Sequence, residues 1–127
     1  DLYLSASHSD GSSVSLMEAL GSGLPALVSD IPGNREWLEA EPDQPVGWLF
    51  KDGDADGLAQ GILKAAALND CGEGASRSAP TEIAPTENGL AAIAHNARAL
   101  AERRADWNKN FQVLLRAYDA ALKNPYP

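Results

Sequence analysis

Basic residues are scarce in this chain. Ten Lys and Arg stand against 18 Asp and Glu, for a net charge of −8. That balance excludes a nucleic-acid surface, because duplex binding depends on neutralising phosphates with cations. A nucleotide site built from backbone amides is still allowed. Cysteine is nearly absent: Cys71 stands alone, so there is no internal disulfide. Long apolar runs are missing as well. None approaches the roughly 20 residues that a membrane span requires. There is no internal repeat and no opening Met. The chain begins directly in a strand-like run, which reads as a C-terminal piece of a longer protein whose targeting signals would lie upstream.

The 127 residues suffice for one domain with a modest core. Three short apolar runs read as buried strands: Leu2 to Ser5, Ala26 to Ser29 and Trp48 to Phe50. Helical patterns separate them, and strands alternating with helices predict parallel pairing through crossover helices. Ser13 suits the N-cap of a helix burying Leu16, Met17 and Leu20, which Gly23 closes and Pro25 prevents from continuing. Asp30 to Asn34 form a turn cluster at the C-terminal end of the second strand, where Gly33 and Asn34 either form only a turn or border a ligand site, followed by a short helix over Arg35 to Ala40. Asp52-Gly53-Asp54 is a second turn. Asp54 caps a helix on which Leu58, Ile62 and Leu63 recur at helical spacing.

Residues 69–89 are rich in Asn, Asp, Gly, Ser, Pro, Thr and Glu, and read as a polar insertion or loop. Leu90, Ile93, Ala94, Ala97, Leu100 and Ala101 then mark an amphipathic helix. A terminal helix over 104–123 follows, with an apolar face of Trp107, Phe111, Leu114, Leu115, Tyr118 and Leu122. Its aromatics read as packing residues rather than a sugar platform.

The chemistry-bearing stretch is Asp10-Gly11-Ser12-Ser13-Val14-Ser15-Leu16-Met17-Glu18. It follows a strand and enters a helix through a loop of small residues. Backbone N–H groups and a helix N-terminus there suit an anion such as a diphosphate, and the two carboxylates suit hydroxyls. Taken singly, Asp10 is a loop residue near a helix cap and Glu18 a solvated helix residue. Their joint spacing around the Gly-Ser-Ser loop favours a site. Gly21-Ser22-Gly23-Leu24-Pro25-Ala26 matches the letters of a dinucleotide fingerprint. It follows a helix and precedes a strand, the reverse of the context that motif needs. Asp52-Gly53-Asp54 has metal-motif spacing but reads better as turn and cap.

From Ser7 through Asp10-Gly11-Ser12-Ser13, Glu18-Ala19-Leu20-Gly21 and Pro32-Gly33-Asn34-Arg35-Glu36-Trp37, the sequence resembles the donor-binding half of retaining glycosyltransferases of the GT-B fold. Within that fold it looks like family four, the group 1 glycosyltransferases. Gly47-Trp48-Leu49-Phe50, the Asp54 helix and the Asp106-Trp107 helix extend the resemblance to nearly the whole chain outside 69–89. It implies an α/β architecture: a Rossmann-like parallel sheet with flanking helices, residues 1–127 forming part of a GT-B C-terminal domain.

The resemblance further implies that Glu18 holds the ribose of a nucleotide and that Asp10, where Glu is commoner, contacts the transferred sugar in a catalytic role. Gly11, Ser12 and Ser13 match the loop whose amides approach sugar and phosphate, and Ser15 and Leu16 match positions near the pyrophosphate. The implied reaction moves a sugar from a nucleoside diphosphate sugar to an acceptor hydroxyl with retention, without metal or other cofactor. Acceptor, the reaction-centre His and the last helix's packing surface are assigned to a missing N-terminal domain. His8 and His95 do not match that His. The fragment alone is expected to be inactive, and the whole protein cytoplasmic or at the membrane surface. Two alternatives share the fold. A phosphorylase has no need of a ribose contact such as Glu18, and a non-catalytic nucleotide-binding or interaction module is what fold alone would equally allow.

Overall fold

The computed structural model describes residues 1–11, 13–73 and 89–123. Its elements run β1 (Tyr3–Ser5), α1 (Val14–Gly21), β2 (Ala26–Ser29), α2 (Pro32–Leu38), β3 (Gly47–Phe50), α3 (Ala55–Glu73), α4 (Leu90–Arg104) and α5 (Trp107–Lys123). The strands form one parallel sheet in the order β1-β2-β3. Leu4 lies opposite Leu27, and Val28 opposite Leu49. This is the expected α/β sheet with flanking helices.

Central β2 is buried throughout, which is why it reads as an unbroken apolar run rather than an alternating one. Ala26 and Val28 face a core shared with Leu16 and Leu20 of α1, and with Ala97, Leu100 and Ala101 of α4. Leu27 points the other way, as strand alternation requires, and its side chain meets α3 at Gly61. Among the described side chains of α3, Ala65 is the buried aliphatic, whereas Ile62 and Leu63, which recur at helical spacing, are exposed. The apolar spacing of α3 locates a stripe but does not say which side meets the sheet. Three fully or nearly buried positions of α4, Ala97, Leu100 and Ala101, show the opposite case, a stripe that does find its partner.

Both ends of α1 are closed as the sequence predicts. Ser13 Oγ accepts from the amide of Leu16 at 3.3 Å. At the other end Gly23 takes φ of +73°. The amide of Leu24 reaches back to the Ala19 carbonyl at 3.0 Å and that of Gly23 to Leu20 at 2.9 Å. This six-to-one and five-to-two pair needs the left-handed residue that glycine supplies. Asp54 likewise caps α3, accepting from the Gly57 amide at 2.9 Å.

Several boundaries differ from the expectations. Pro32, Gly33 and Asn34 are not a free turn but the first turn of α2. Pro32 starts it, since its fixed φ and missing N–H suit that position. Residues 69–73, expected to be loop, continue α3 to Glu73. The Ala65-Ala66-Ala67-Leu68 run ahead of them is strongly helix-forming, and extending a helix is easier than nucleating one. The rest of the expected insertion, 74–88, lies outside the described residues, as does Ser12.

The terminal helix begins at Trp107 rather than 104, because α4 itself runs through Arg104. Asp106 caps α5, accepting from the Lys109 amide at 3.2 Å. No residue of α5 is buried. Trp107, Phe111 and Tyr118 therefore do not pack into this core. Trp107 and Phe111 stack on each other at 5.6 Å, and the rest of the face has no described element over it. No helix among the described residues is long and apolar enough to cross a membrane.

Candidate functional site

Parallel strands send all their C-terminal ends to one edge of the sheet, where ligands of open α/β folds bind. Here three connections leave that edge: the one after Ser5 into α1, Asp30-Ile31 into α2, and 51–54 into α3. Contacts far apart in sequence draw them together. Ser29 Oγ donates to the Ser7 carbonyl. His8 Nδ1 lies 2.7 Å from Asp52 Oδ1. The Asp30 amide donates to the Phe50 carbonyl at 2.7 Å. Gly33 abuts the carbonyl oxygens of Asp10 and Gly11.

Asp10 is half-buried on the first turn and Gly11 is exposed beside it. Ser13 is buried and occupied as the α1 cap. Ser15 is exposed, with its hydroxyl 2.8 Å from Tyr3 Oη and 3.1 Å from Ser13 Oγ. Leu16 contributes a wholly buried side chain, and its amide is taken by Ser13. A helix leaves its first N–H groups without intrahelical acceptors. With Leu16 satisfied, the amides of Ser13, Val14 and Ser15 meet no acceptor among the described residues. Glu18 is exposed farther along α1.

Neither Asp10 nor Glu18 is paired with a cation among the described residues. The five Lys and Arg ion pairs there use Asp30, Glu36, Glu41, Glu102 and Asp106, and Asp52 is bonded to His8. The two acids are thus free carboxylates flanking a capped helix start, a suitable arrangement for accepting hydrogen bonds from hydroxyls. Of the residues expected at the site, Asp10, Gly11, Ser13 and Ser15 cluster at the sheet edge. Leu16 belongs to the core, and Glu18 is offset along the helix.

Four further residues hold the turns of this edge in place. Ser29 is wholly buried and Asn34 nearly so, and Asn34 Nδ2 donates to the Ser29 carbonyl at 2.9 Å. Two small polar residues flanking a strand end were the available signal, since buried polar groups are nearly always bonded. His8 and Asp52, 44 residues apart, had none.

The model of the family described as "Glycosyl transferases group 1" matches residues 1–77. One curated relative is the UDP-N-acetylglucosamine--peptide N-acetylglucosaminyltransferase GtfA subunit of Streptococcus pneumoniae serotype 4. It is 39% identical over 72 residues, 56% of this chain and 14% of that protein. The chain thus aligns with only a small part of its relative. No solved structure matches.

Proposed function

The chain belongs to the group 1 glycosyl transferases, and from that premise we propose that it is the donor-binding portion of an enzyme that moves a sugar from a nucleoside diphosphate sugar to an acceptor hydroxyl with retention of configuration. The observation that carries this reading is the pair of uncompensated acids, Asp10 at the sheet edge and Glu18 on the exposed side of α1, on either side of a capped helix start.

In this reading the open amides of Val14 and Ser15 and the Ser15 hydroxyl receive the diphosphate. The α1 N-terminus favours its negative charge. Glu18 accepts hydrogen bonds from the ribose and Asp10 from the transferred sugar. Catalysis then consists of orienting the sugar and stabilising the charge that develops on the departing diphosphate. Acceptor binding belongs to a further domain. The apolar face of α5, which no described element covers, and the small share of the relative that the chain spans both support such a domain. The relative's name makes UDP-N-acetylglucosamine the first donor to try.

A calorimetric screen of the intact protein tests this reading. UDP, GDP and ADP are titrated with their sugar conjugates, including UDP-N-acetylglucosamine, into the parent and into Glu18→Ala. Saturable binding of one nucleotide, weakened about tenfold by losing hydrogen bonds to a charged group, is the expected result. Asp10→Ala is expected to reduce sugar transfer chiefly. Parental binding and transfer in both variants would overturn the assignment.

A further inference from the structure

We infer that Gly33, on the corner between β2 and α2, is a positioning residue for Asp10. The inference rests on the donor-site reading above. Glycine is not required at position 33 for its backbone angles. Only Gly23 and Gly53 have positive φ among the described residues, and Gly33 lies within helix α2. What requires glycine there is proximity. A Cβ at position 33 would stand 2.5 Å from the Asp10 carbonyl oxygen, 2.6 Å from that of Gly11 and 3.1 Å from the Gly11 carbonyl carbon. All three are backbone atoms, so no side chain can swing away to make room.

The corner itself is held firmly. Asn34 Nδ2 donates to the Ser29 carbonyl, and both residues are buried. Ser29 Oγ in turn donates to the Ser7 carbonyl, three residues ahead of Asp10. Beyond Ser7, His8 is tied to Asp52 on the third turn. The segment carrying Asp10 is therefore anchored on one side and seated on a bare Cα on the other. An added methyl group must push that segment away by about 1 Å to reach ordinary contact distance. A displacement of that size at a reacting centre costs about 100-fold in rate. Glu18 lies within α1, outside the displaced segment, so nucleotide affinity is not expected to follow.

The experiment compares Gly33→Ala with the parent in the intact protein, using the nucleotide and nucleotide sugar selected by the UDP, GDP and ADP screen. Turnover number is expected to fall about 100-fold, while the Kd of the nucleoside diphosphate changes less than threefold. A merely structural role would move both together. Equal losses in both, or parental turnover, would overturn the inference. If Gly33→Ala shows no cooperative melting, Ser29→Ala carries the same comparison, with about a tenfold loss of turnover expected from the released Ser7 tether. Parental turnover there also overturns it. Amide exchange over residues 7–11 supplies a readout that needs no ligand. Faster exchange in the variant is expected, and unchanged protection counts against the inference. Asp10→Ala is run alongside. If that variant keeps parental turnover, the donor-site reading itself fails. If Asp10→Ala is impaired and Gly33→Ala is not, only the positioning role fails.

Discussion

His8 Nδ1 meets Asp52 Oδ1 at 2.7 Å, joining the turn after β1 to the turn after β3 across the end of β2. Both side chains are substantially exposed. The contact therefore restrains two loops without adding much to global stability, as solvated polar side-chain pairs generally do. Asp52→Ala is expected to change the unfolding free energy by less than about 1 kcal/mol. Urea denaturation measures this, and a cost of several kcal/mol would show that the turns are part of the core's cooperative unit.

The opposite result is expected at Leu20. It is fully buried between the sheet and α4. Leu20→Ala removes its apolar transfer energy and leaves a cavity, for a loss of about 2–5 kcal/mol. A smaller loss in the same denaturation experiment would mean that α1 and α4 can close together over the gap.

Arg104 closes the far side of the core. Its guanidinium lies 4.9 Å from the Trp37 ring centroid, and Nη1 donates to the Glu36 carbonyl at 2.8 Å. Arg104→Ala is expected to cost about 1–2 kcal/mol from the combined ring and hydrogen-bond contacts. Arg104→Lys should recover only part of this, since an ammonium lacks the planar fork that does both at once. Full recovery by Lys would reduce the contact to simple charge.

Asp106 gives the start of α5 a pH dependence. The Lys109 amide, followed by the Lys109 side chain, holds its carboxyl below the usual Asp value. A carboxyl with a depressed folded value favours order above the unfolded value, and the advantage disappears as pH falls through the folded one. The Lys109 amide proton is expected to titrate with a midpoint below that of an ordinary Asp, and to lose the transition in Asp106→Ala. NMR titration reads this directly. A midpoint at or above the ordinary value would contradict the cap.

At the donor site, Asp10→Glu tests how strictly the acid's reach is set. The longer side chain moves the carboxylate by about one bond length beyond the position fixed by the 7–11 segment. Nucleotide affinity is expected to stay within threefold of the parent and turnover of the preferred sugar to fall about tenfold. Steady-state kinetics with two epimeric sugar donors distinguish a change of sugar preference from a uniform loss.

Much of this protein was determined locally. The three apolar runs became three parallel strands, Ser13 and Asp54 capped the helices they were expected to cap, and Gly23 stopped α1. Each of these is legible because its cause lies within a few residues: a strand-length apolar run, a side chain reaching a nearby amide, a glycine free to take positive φ. The candidate acids come from the chain in the same local way, through a seven-residue spacing across a loop and a helix start. Only the tertiary structure decided how these pieces meet. Ala65 rather than Leu63 turned toward the sheet, and the apolar stripe of α5 met no described partner, because periodicity marks a face without naming what covers it. Gly33 came to rest on the Asp10 carbonyl and His8 on Asp52 because parallel pairing brings every strand end to one edge. That convergence depends on register and crossover, so the sequence around His8 and Asp52 carries no trace of it, whereas the Gly33-Asn34 turn at a strand end was a partial clue.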